Sequence, residues 1–298
     1  MAKFTGVYVA LITPMTDSYE VDYSKLREHA DWLINEGVTG LIPCGTCGEY
    51  ATLSNEERAK VVETVLEVAK NRVPVLVGTG APATRDAVKW AQHAKDHGAA
   101  GLMALPPINY SPEEYEVIAH YEALSEVGLP IVLYNNPNDY KTDLTTELLV
   151  KLQAIENVIG VKDFSIDIRR VHTTLTNTNL EVLIGVDDLG LEGPAFGATG
   201  WISGFANVFP KESVEIFNLG REGKLQEAMG LYRSLLPLSH YDAQPNLVQA
   251  MKYCLELKGR PVGPTRPPRL PLATDELEKI KEAFELSTKY TEGRKQTI

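Results

Sequence analysis

Lys162 interrupts the apolar run VIGVKDF, where a lysine is a poor resident unless it is paired or put to use. Burial disfavours the charged ammonium and lowers its pKa, leaving an amine that can attack a ketone and form a Schiff base. The plain alternative is a strand-end lysine that snorkels to solvent or pairs with Asp163. Tyr134 closes the run IVLY, 28 residues earlier. Its phenol both donates and accepts, so it could relay protons to a reactive amine, although an isolated tyrosine more often serves a core or an interface.

The segment PCGTCGEY, residues 43–50, raises a second question. Cys44 and Cys47 form a Cys-x-x-Cys, but no second pair completes a zinc site and no helix-start redox arrangement is evident. Cys44 is expected to end a buried strand as a small apolar residue. Gly45 and Gly48 permit backbone N–H groups to converge on an anion, and Thr46 adds a hydroxyl. Asp187 and Asp188 are adjacent acids, and the expected role of one is to cap the following helix. The six histidines fall mostly in expected helices. His93 and His97 share a face at i, i+4, but no acid completes a metal site in the sequence, so all six are read as structural and no metal is expected.

Strand ends must position these groups. Eight short apolar runs, at 7–12, 40–44, 73–78, 100–105, 130–135, 158–163, 181–186 and 200–204, recur about one βαβ unit apart. Most are continuous rather than alternating, as parallel strands covered on both faces require. Amphipathic segments lie between them, with capping-box spacing at Ser54/Glu57 and Ser111/Glu114, Pro112 at a first helical position, and Gly37, Gly98 and Gly128 at helix ends. The reading is a closed (β/α)8 TIM barrel over residues 1–210; a doubly wound open sheet is the competitor. Residues 211–298 are expected to add helices at about 211–219, 223–238, 245–258 and 275–289, packed on the barrel as one structural unit. In such a barrel Thr13, the GTCGE loop, Tyr134 to Asn136, Lys162 with Asp163, Asp187 with Asp188, and Ser203 share the catalytic end.

The net charge of −11 argues against a nucleic-acid backbone binder. No apolar run reaches the ~20 residues of a membrane span. Three cysteines in 298 residues do not make a disulfide framework, and a cytoplasmic protein is expected.

Together GTCGEYATLSNEER, YNNP, GVKDFS and GVDDLGLEGPAFGATGWIS, with the proline-rich tail, resemble the dihydrodipicolinate synthase/N-acetylneuraminate lyase family of Schiff-base lyases and class I aldolases. The resemblance implies a homotetramer built from dimers, a covalent imine on Lys162 without metal or organic cofactor, and a small anionic 2-oxo acid as substrate. It makes Tyr134 the proton relay, Thr46 a carboxylate ligand and Ile202 a backbone contact. Three positions depart from the synthase pattern: Cys47 replaces a threonine, Asp139 an arginine, and Asn109 a tyrosine lent across the dimer interface. These departures lead to the expectation of a catabolic dehydratase/deaminase, acting on a 2-keto-3-deoxy sugar acid or 4-hydroxy-pyrroline-2-carboxylate. The alternatives are 4-hydroxy-tetrahydrodipicolinate synthase or another pyruvate-dependent aldolase, and a non-catalytic barrel that binds a 2-oxo acid.

Overall fold

The computed structural model describes residues 4–295, so the outer ends of the two expected spans, 1–3 and 296–298, lie outside the described residues. Among the described residues eight strands run in parallel: β1 (Gly6–Ala10), β2 (Gly40–Ile42), β3 (Leu76–Gly78), β4 (Gly101–Ala104), β5 (Ile131–Asn135), β6 (Val158–Asp163), β7 (Glu181–Ile184) and β8 (Gly200–Ser203). Each pairs with its sequence neighbour, and β8 returns to β1. A parallel bridge between Leu41 and Val75 joins β2 to the approach of β3, with Gly78 N–H donating to the Pro43 carbonyl at 3.1 Å. The circle is thereby closed, and the fold is a (β/α)8 barrel.

The outer layer is α1 (Tyr23–Asn35), α2 (Asn55–Ala69), α3 (Thr84–Asp96), α4 (Glu114–Ser125), α5 (Thr146–Leu152), α6 (Arg169–Asn177), α7 (Glu192–Ala195) and α8 (Pro210–Arg221). Helix α8 follows β8 and packs on β1, completing the eighth unit on the far side of the boundary expected at 210. Three further helices follow, α9 (Leu225–Ser239), α10 (Leu247–Leu257) and α11 (Thr274–Lys295). None of the described helices is long and apolar enough to cross a membrane.

Local chemistry explains these elements. Ser54 caps α2 through the Glu57 N–H, while the Glu57 carboxylate takes the Ser54 N–H at 2.8 Å. Val61, Val62, Val65 and Ala69 then bury one face of α2. The strands are buried almost throughout, and Leu41, Ile42, Leu76 and Leu102 are fully enclosed. Burial of each such side chain contributes about 1.5–3 kcal/mol relative to exposure.

Two local expectations are corrected. The α4 capping box is Glu113 with Glu116, not Ser111 with Glu114, and Pro112 precedes the helix. The Glu116 carboxylate reaches the Glu113 N–H at 2.7 Å, which fixes the first turn two residues later. Strand β2 stops at Ile42, and Cys44 sits beyond it at φ +60° in the left-handed region. It is a buried turn residue, and a Cβ at Gly78 would lie 2.2 Å from its carbonyl oxygen. Only a glycine lets β3 approach that turn so closely.

Candidate active site

Lys162 lies near the C-terminal end of β6 with 5% of its surface exposed. Its Cα pairs with that of Tyr134 on β5, so both side chains leave the sheet on the same side. The Nζ stands 4.1 Å from the centroid of the Tyr134 ring and 5.5 Å from that of Phe164. Just past the end of the neighbouring strand β7, Gly185 makes room: a Cβ there would lie 2.7 Å from Lys162 Cε. Lys162 is not the snorkelling strand-end residue of the plain alternative.

Burial lowers the pKa of Lys162, opposed by the neighbouring Cys47, Asp242, Asp187 and Asp139. The Tyr134 phenol is pushed up by burial and is neutral, and its oxygen accepts from Asn136 Nδ2 at 3.2 Å. Asn136 Nδ2 also donates to Asp139 at 2.8 Å. Thr46 Oγ1 lies 3.2 Å from the Tyr140 hydroxyl, and the Tyr140 ring stands edge-on to Tyr134 with centroids 6.5 Å apart. Among the described residues, the N–H groups of Thr46 and Cys47 donate to no carbonyl or side chain. Such a pair of free donors on a glycine-flanked turn is suited to a carboxylate.

Asp187 does not cap the helix that follows it. Its carboxylate accepts Trp201 Nε1–H at 3.0 Å and Phe205 N–H at 2.6 Å, joining the ends of β7 and β8. Its own N–H donates to Asp242 Oδ2 at 2.9 Å. Asp242 comes from a short turn, His240–Ala243, between α9 and α10, so the added helices supply a residue to the barrel mouth. Burial raises Asp187 to about 6, despite those hydrogen bonds and the nearby Lys162 charge. Burial and then the neighbouring Asp187 raise Asp242 well above the usual carboxylate range. The sequence carries no sign of Asp242, which stands in SHYDAQ within a helical tract, far from any strand end.

The other expected residues divide. Cys47 is buried in the group, its thiol pushed up to about 12 by burial and then by Asp242. Cys44 is raised to about 11 for the same first reason, so the Cys-x-x-Cys holds two buried free thiols with little thiolate character. Gly45 is buried at the start of the Thr46 turn, and Ile202 is buried on β8 opposite Tyr8. Thr13 holds the loop from below by donating to the Gly48 carbonyl at 2.7 Å. Asp139 is exposed at the margin, reaching the centre through Asn136. Asn109 is also exposed, and its Nδ2 donates to the Pro82 carbonyl at 3.5 Å, away from Lys162. The expectation that the histidines lack an acidic partner is overturned: Glu63 of α2 stands 3.2 Å from His93 and 3.6 Å from His97.

The proline-rich tail fixes the loop from outside. Glu49 is left-handed at φ +56° and pairs with the buried Lys252 of α10 at 2.8 Å. Its second oxygen accepts the Arg266 N–H at 2.9 Å, and the Arg266 guanidinium clasps both oxygens of Glu57 at 2.7 Å.

Comparison with known proteins identifies the family. Residues 3–286 match the model of the dihydrodipicolinate synthetase family. A 4-hydroxy-tetrahydrodipicolinate synthase of Methanothrix thermoacetophila is 35% identical over 285 residues, covering 94% of this chain and 96% of the relative. The structure of the synthase of that name from Methylacidiphilum fumariolicum superposes with a TM-score of 0.94 at 28% identity, covering 99% of both chains. The chloride-inhibited dihydrodipicolinate synthase of Acinetobacter baumannii, solved with pyruvate, gives a TM-score of 0.90 at 32% identity, covering 96% of this chain and 99% of its own. The relatives' names favour the synthase alternative over the dehydratase/deaminase expectation. On fold, motifs and length of match, the chain belongs to the dihydrodipicolinate synthetase family.

Proposed function

We propose that the protein is a Schiff-base lyase that binds a 2-oxo acid covalently at Lys162. The carrying observation is the buried Lys162 amine over the ring of Tyr134 at the mouth of the barrel. Membership of this family brings a lysine imine and calls for no cofactor. On this reading the substrate carboxylate docks on the N–H groups of Thr46 and Cys47 and the Thr46 hydroxyl. Neutral Lys162 attacks C2, and the carbinolamine loses water while Tyr134 passes the proton. The iminium acts as electron sink: a C3 proton leaves to a base, the C3–H electron pair forms the C2=C3 bond, and the C2=N pair returns to nitrogen to give an enamine. The positive charge formed on Lys162 favours ionisation of Asp187 and Asp242, which become its counter-ions.

The enamine then adds to a small aldehyde, the aldol-type step of a 4-hydroxy-tetrahydrodipicolinate synthase. The names of the relatives support this version. The dehydratase/deaminase version, in which the enamine expels a group at C4, draws its support from Asp139. An exposed anion beside Asn136 disfavours the approach of the incoming aldehyde's carboxylate to the mouth. Assays with pyruvate plus aspartate semialdehyde, with 2-keto-3-deoxy acids and with hydroxy-pyrroline carboxylate decide between them. Turnover of the first pair alone supports the synthase version; release of water or ammonia from the others supports the second. Inertness to all three overturns both. A homotetramer belongs to the same proposal and is tested by sedimentation.

A further inference from the structure

We propose that Glu63, His93 and His97 form a site for a divalent transition-metal ion of the zinc type, clasping α2 to α3 on the outside of the barrel. One ligand atom from each residue lies within 4.8 Å of the others. The Glu63 Oε1 is 3.2 Å from His93 Nε2 and 3.6 Å from His97 Nε2. A tetrahedral zinc with bonds of about 2.0–2.1 Å has ligand-to-ligand edges of about 3.3–3.4 Å, so these donors are already close to coordinating separation.

The histidine tautomer strengthens the case. His97 Nδ1 lies 2.9 Å from the carbonyl oxygen of His93, and a carbonyl can only accept. The proton of neutral His97 therefore sits on Nδ1, and Nε2 turns its lone pair toward the carboxylate. In that neutral tautomer the lone pair of Nε2 and the carboxylate oxygen are both acceptors, and a bound cation would satisfy the two together. A backbone carbonyl that holds the second nitrogen is also the usual outer support of a metal-bound imidazole. The two rings stand one helical turn apart with centroids at 4.2 Å, and Trp90 packs edge-on to His93. Glu63 and His97 are 45% and 41% exposed at the side chain, which leaves a route for the ion and a place for water as fourth ligand. The site stands on α2 and α3, apart from Lys162 on β6. Its ion is structural or regulatory rather than catalytic. Because it does not rest on the Schiff-base reading, either can fail without the other.

The test is zinc binding by calorimetry to full-length protein stripped with chelator, together with the absorption spectrum of a cobalt(II) complex. Expected are one ion per chain, a raised Tm in zinc, and affinity weakened at least about tenfold in both His97→Ala and Glu63→Gln. Trapping of pyruvate on Lys162 should be unchanged in both variants, which also reports that they fold. No stoichiometric binding by the unaltered protein overturns the proposal. So does affinity retained in either variant, since the ion would then be held elsewhere.

Discussion

Tyr134 and Lys162 are register partners on adjacent parallel strands, and the lysine amine stands 4.1 Å from the centre of the tyrosine ring. A parallel pair puts partnered side chains on one face, so the barrel itself brings the amine and the phenol together. The loops then add donors around them.

Tyr134→Phe separates the ring from its hydroxyl. The ring still covers the amine, while the proton relay is lost. We expect kcat to fall about 10²–10⁴-fold with little change in Tm. Steady-state kinetics beside a thermal melt check this; activity close to that of the parent would remove Tyr134 from the relay.

Gly185→Ala tests the space that Lys162 occupies. The new methyl would meet Lys162 Cε at 2.7 Å and the Asp163 carbonyl oxygen at 2.8 Å. Overpacking of this kind costs about 1–3 kcal/mol, and here it displaces the amine from the Tyr134 face. Imine formation, followed by stopped-flow absorbance, should slow at least about tenfold.

Much of this arrangement was legible in the sequence, because strands and helices announce themselves through local periodicity. The VIGVKDF run placed Lys162 at a strand end, and the GTCGEY glycines marked the turn that presents Thr46. Contacts between distant segments were not legible. Asp242 looks like an ordinary polar residue of a helical tail until that tail folds over the mouth. Glu63 on α2 meets His93 on α3 only because the fold brings these two residues together from 30 positions apart in the chain. Cys44 was expected to end a strand because it follows an apolar run, whereas close packing against Gly78 holds it in a left-handed turn.

Glu49→Gln should destabilise the fold. Lys252 would remain buried without its counter-charge, which costs about 3–5 kcal/mol. Denaturant unfolding measures the loss, and the double variant Glu49→Gln with Lys252→Met should recover part of it.

His120→Gln should flatten the acid limb of the stability curve. Burial holds His120 at about 4, with Nε2–H donating to the Leu105 carbonyl and Nδ1 accepting from Thr84. The unfolded chain, with a histidine near 6.5, takes up the proton first. Stability present above 6.5 is therefore lost as pH falls from 6.5 through 4, by about 3 kcal/mol for this residue. Unfolding midpoints at pH 7 and pH 4.5 should differ less in the variant than in the parent; an equal difference contradicts the assignment.

The most direct test of the central claim is borohydride reduction in the presence of pyruvate, followed by peptide mass analysis. The account predicts one pyruvate-derived adduct per chain, located on Lys162 and lost in Lys162→Ala. An unmodified Lys162, or an adduct that persists on another lysine in that variant, would contradict it.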